Sequence, residues 1–140
     1  MLLTATSTQW TGVISLVDQS SPATWLRAVA QKLDLIRSAG PNWDHEGGGP
    51  IEPRILSIAS ELLAPLASLG LPVPRIAPVL GGGIQFEWDV AGKELEVEIL
   101  PDGTVEFLTA DEHGQVEEGR LPDIPIREVR SLAQRLVRDC

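Results

Sequence analysis

"IQFEWDVAGKELEVEILPDGTVEFL", residues 84–108, alternates apolar and polar side chains with a period of two and is broken twice by turn residues. Ile84, Phe86, Trp88 and Val90 alternate with Gln85, Glu87 and Asp89. Beyond the turn at "AGK", Leu95, Val97 and Ile99 alternate with Glu94, Glu96 and Glu98. "PDG" makes a second turn, and Val105 and Phe107 then flank Glu106. Successive side chains on a strand point to opposite faces. The pattern therefore predicts an antiparallel meander with one apolar face and one wet face. "DEHGQ" leads into a fourth, weaker strand near 116–121.

An apolar sheet face needs a second layer, and the flanking segments supply it. Ser21 is a natural N-cap and Pro22 suits the first helical position. Trp25, Val29, Leu33 and Ile36 recur at helical spacing, and Gly40–Pro41 ends the helix. A second helix begins near Pro53 with Ile55, Leu56, Ala59, Leu62, Leu63, Leu66 and Leu69 as its stripe. Pro65 predicts a kink or an early end. "LPVPRIAPVLGGG" reads as a linker whose Ile76 and Val79 could add a short edge strand. A last helix is expected from Asp123 as cap, with Val129, Leu132, Ala133 and Leu136 inward and Arg130, Arg135 and Arg138 towards its C-terminal half. Together these segments predict an α+β fold. Two N-terminal helices precede a three- or four-stranded antiparallel meander, and a C-terminal helix packs on one face of the sheet. Residues 1–20 read as a weakly ordered lead-in to a single domain over 21–140.

The bulk properties restrict the function. A chain of 140 residues with a formal charge of −9 is long enough for one real core and disfavours nucleic acid. The longest apolar runs fall short of a membrane span, so no membrane is expected as a partner. Cys140 is the single cysteine, which suits a cytoplasmic location. No motif calls for a cofactor.

"GPNWDHEGGGP", residues 40–50, is the most irregular stretch. Asp44, His45 and Glu46 are three neighbouring ionisable residues, but consecutive side chains rarely converge on one ion without a sharply bent backbone. The glycines lack the lysine and hydroxyl residue that end a phosphate loop. Asn42, Trp43, Asp44 and Gly47 are therefore expected to form a structural loop. The triplet at Gly81, Gly82 and Gly83 is expected to bend the chain at the sheet edge.

The wet face carries the main functional signal. Glu87, Asp89, Glu94, Glu96, Glu98 and Glu106 should point the same way, and Lys93 is the sole basic residue of the meander. Three accounts fit such a face: simple solvation that keeps the chain soluble, docking of a basic protein partner, or partial neutralisation by C-terminal helix arginines of a neighbouring chain. The docking reading fails if Glu87, Glu96 and Glu106 lie on different surfaces, or if each of them pairs with an arginine of its own chain.

The sequences "NWDHEGGGPIEP", "PVPRIAPVLGGGIQFEW" and "LEVEILPDGTVEFL" together resemble a group of small uncharacterised bacterial proteins. That group carries N-W-D-G-x-G-A-x-P followed downstream by G-G-I-x-x-E-W. The likeness covers residues 41–108, where Asn42, Trp43, Asp44, Gly47, Pro50, Gly82, Gly83, Ile84, Glu87 and Trp88 fit. His45 stands where glycine is usual and Gly48 where alanine is usual. The resemblance implies a compact bacterial protein of the cytoplasm and supplies no catalytic residue.

Three functions follow. The first is a non-enzymatic protein-binding module, antitoxin-like or immunity-like, that docks a basic partner on the acidic sheet face. The second is a small metal-dependent hydrolase built on Asp44, His45 and Glu46. The third is a structural subunit of a homo-oligomer. The charge pattern, with no catalytic constellation beside it, favours the first.

Overall fold

The computed structural model describes residues 21–39 and 50–138. Helix α1 (Pro22–Ser38) and helix α2 (Pro53–Leu63) precede a 3₁₀ turn (Ala64–Leu66). Strands β1 (Arg75–Val79), β2 (Gly83–Val90), β3 (Lys93–Ile99), β4 (Val105–Ala110) and β5 (Val116–Arg120) follow, and helix α3 (Ile126–Val137) comes last. The strands pair antiparallel in sequence order as one five-stranded sheet.

The sheet has five strands where three or four were expected: the weaker strand read near 116–121 forms as β5, and the short edge strand suggested by Ile76 and Val79 forms as β1. Both are edge strands without a clean alternation. β1 contains Pro78, and β5 is exposed along its whole length. Their pairing comes from the neighbouring strands rather than from their own apolar pattern.

Ser21 caps α1 as predicted, its hydroxyl accepting from Thr24 N–H at 3.1 Å. Trp25, Val29 and Leu33 are its buried stripe. α2 stops at Leu63 and tightens into the 3₁₀ turn at Pro65, where a proline would break the α-helical ladder. Asp123 does not cap α3. Ile124 takes a positive φ of 50° and turns the chain there, so the N-cap is Pro125.

The inner face of the sheet and the three helices share one core. Ile84, Phe86, Leu95, Val97 and Ile99 from the sheet are fully buried against Ile55, Leu63, Leu66 and Val129. Burial of each such side chain contributes about 1.5–3 kcal/mol. α2 lies across β2 and β3, with α1 on the β1 side and α3 over β3.

The proline-rich link between α2 and β1 is held by its carbonyls, which prolines leave free while removing donors. Trp25 Nε1 donates to Leu71 O at 2.9 Å and Trp88 Nε1 to Pro72 O at 3.0 Å. Lys32 Nζ donates to Pro74 O at 2.8 Å. The second glycine triplet is the β1–β2 turn. Gly81 and Gly82 have φ of 94° and 108°, and a Cβ on Gly83 would stand 2.5 Å from Ile99 O.

Candidate functional site

Strand register decides what lies on the outer face. Ile84 pairs with Ile99, Phe86 with Val97 and Trp88 with Leu95, all towards the helices. The intervening residues therefore face away. Gln85, Glu87 and Asp89 come from β2, Glu94, Glu96 and Glu98 from β3, and Glu106 from β4. All six carboxylates read from the sequence thus share one surface. Pairing with β4 adds Glu118 and Arg120 from β5, and pairing with β2 adds Arg75 from β1.

Three pairs of carboxylates stand directly opposite one another: Glu87 with Glu96, Asp89 with Glu94, and Glu98 with Glu106. Like charges in that relation destabilise a sheet by about 0.2–1 kcal/mol each. The arginines sit only on the edge strands. Arg75 pairs with Glu87, and Arg120 Nη2 with Glu106 Oε2 at 3.2 Å. Both are solvent-exposed pairs on one side or both, and such pairs contribute about 0–1 kcal/mol.

Of Glu87, Glu96 and Glu106, the first and third are therefore engaged by arginines of their own chain, and Glu96 is not. Glu96 is bonded instead by a neutral group, Gln85 Nε2 donating to its Oε2 at 2.9 Å. Asp89, Glu94 and Glu98 have no ion pair among the described residues. The acidic centre is thus narrower than the sequence suggested. It runs along β3 and the adjoining end of β2, with a guanidinium at either margin.

Lys93 does not dilute it. One residue out of step with Glu94, it points to the helix side, where its Nζ donates to Arg135 O at 3.1 Å and Arg138 O at 2.8 Å. A cation there satisfies the last carbonyls of α3 and its dipole. Arg135 stays on that side too, with its Nη2 3.5 Å from Glu117 Oε1. The helix arginines therefore do not neutralise the acidic face of their own chain. Sequence reasoning missed Arg75 and Arg120, which only strand register could place beside Glu87 and Glu106.

The structural loop at Asn42, Trp43, Asp44 and Gly47, and the Asp44–His45–Glu46 triplet, lie outside the described residues. Among the described residues no three histidine, cysteine or acidic side chains gather as a metal site. A groove between the β4–β5 hairpin and the end of α3 is lined by Lys93, Thr109, Asp111, Glu117 and Arg135. Its polar groups serve the fold. The Thr109 hydroxyl donates to Glu94 O at 3.0 Å, and the Asp111 carboxylate accepts from the His113 and Gln115 N–H groups at 2.9 Å each. His113 is exposed in this turn, 3.7 Å from Glu112.

Comparison of the chain with protein-family models, with curated proteins and with solved structures gives no match. No helix among the described residues is long and apolar enough to cross a membrane.

Proposed function

We propose that this protein is a non-enzymatic binding module that docks a positively charged protein surface on the outer face of its sheet. An antitoxin or immunity protein that covers a basic partner is the model for such a role. The supporting observation is the set of three facing carboxylate pairs, Glu87–Glu96, Asp89–Glu94 and Glu98–Glu106, at the middle of the sheet. Arginines at the margins already meet Glu87 and Glu106, so the repulsion is least offset at Asp89–Glu94 and along β3, and a cationic surface laid there would relieve it. The flanking Arg75 and Arg120 would then meet acidic residues at the rim of the partner, fixing its register.

Capture from a bacterial lysate tests this with two baits, the wild-type chain and a Glu94→Gln/Glu96→Gln/Glu98→Gln variant. The wild-type bait should retain a basic protein at low salt and release it at high salt, since exposed charges are screened. The variant should not retain it. Equal retention by both baits, or retention indifferent to salt, removes the acidic face from the function.

A further inference from the structure

β5 is an edge strand whose free side can be read from its bonded side. Leu121 N–H donates to Val105 O at 2.8 Å and Asp111 N–H to Gln115 O at 3.0 Å. Bonded and non-bonded pairs alternate along an antiparallel ladder, so Glu117 and Gly119 also turn their backbone groups to β4. Val116, Glu118 and Arg120 turn theirs the other way, and among the described residues no strand lies there. The opposite edge is different. β1 includes Pro78, which has no N–H to offer, and α1 packs beside it.

Two features of β5 fit it to a copy of itself. Glu118 and Arg120 follow one another on the outer face with opposite charge. If two β5 strands pair antiparallel about a two-fold axis at Gly119, Glu118 of each copy stands opposite Arg120 of the other. These are the residues whose backbone groups face outward, so each such pair also exchanges both ladder bonds. Arg120 already meets Glu106 at 3.2 Å, so acid, base and acid would alternate across the joint. On the helix side Gly119 has no side chain, and the half-buried Phe107 ring occupies that space. A Cβ at residue 119 would lie 3.4 Å from Phe107 Cε1. A second copy brings a second ring to the same place, and each covers the other. Glu117, the charge on the helix side of this edge, is taken up by Arg135.

We infer that the protein forms a two-fold dimer by antiparallel pairing of β5 with β5 of a second copy, centred on Gly119. The two sheets join into one, and both acidic faces lie on the same side of it. The strand is short, so the association depends on concentration. It shares Arg120 with the margin of the proposed docking face, but it does not depend on docking.

Sedimentation of the full chain across a range of concentrations tests this, with circular dichroism to check that each variant is folded. The wild type should approach twice the 15.1 kDa chain mass as concentration rises. Glu118→Pro removes an N–H that points away from β4, and should sediment as a single chain throughout. Glu118→Arg alone and Arg120→Glu alone place like charges across the joint, and each should be monomeric. Mixing these two should restore the dimer, because every facing pair then has opposite charge. If Glu118→Pro fails to fold, the two charge variants decide. A wild type that stays at one chain mass, a folded proline variant that dimerises like wild type, or a mixture that stays monomeric overturns the proposal.

Discussion

Along β3, Leu95, Val97 and Ile99 are wholly buried, while Glu94, Glu96 and Glu98 alternate with them on the other side. The same seven-residue strand meets a close-packed core on one face and water on the other. On the inner face each residue is fixed by volume and hydrophobicity, because interiors have no room for a change of shape. On the outer face nothing in the packing requires glutamate at three successive positions. The acidic row even opposes the fold through its facing neighbours. Packing accounts for the inner face but not for the choice of residues on the outer one, and that is the face the docking proposal concerns.

Substitution can test the asymmetry. Phe86→Ala, at a site with no exposed surface, should cost about 3–5 kcal/mol in urea unfolding, because lost burial and an unfilled cavity add. A cost near zero would mean that the inner face is not the core. Trp25→Phe keeps most of the apolar bulk but strips the N–H from Leu71 O, a bond within the core, and should cost about 1–3 kcal/mol in the same assay. Glu94→Lys should act in the opposite direction. Facing Asp89, and with no ion pair to lose among the described residues, the lysine should stabilise by about 0.2–1 kcal/mol. A destabilised Glu94→Lys variant would show that the acidic face is structural after all.

The smallest effect belongs to the hairpin turns. Hydrogen bonds from the Thr104 N–H and hydroxyl hold the Asp102 carboxyl below its usual 3.8. A hydrogen bond from the Gln115 N–H, with another from His113, does the same for Asp111. A carboxyl whose folded pKa is depressed stabilises fully above its unfolded pKa, and that contribution is lost as pH falls through the folded value. Stability should therefore decline below about pH 3.8, and Asp102→Asn with Asp111→Asn should flatten that part of an acid titration followed by circular dichroism.

The acidic face was legible in the sequence because a period of two has only one consequence. Once Ile84, Phe86 and Trp88 go inward, Gln85, Glu87 and Asp89 must go outward. The same parity sends Lys93 to the helix side with Leu95. Ser21, Pro22 and Pro65 likewise act on their own backbone, so the start of α1 and the end of α2 could be read locally. Asp123 misled because Ile124 breaks the expected geometry between a plausible cap and its helix.

The sequence by itself determined the meander, the three helices and the common direction of six carboxylates, since each follows from bonds and periodicities within a few residues. Only the tertiary structure decided which edge of the sheet β1 and β5 each take, in what register, and that Arg75 and Arg120 thereby flank the acidic row. It also decided that the 71–74 link is held by two indoles and a lysine. Those contacts join residues distant in the chain, and what brings them together is the shared burial of a sheet face under helices rather than any local preference.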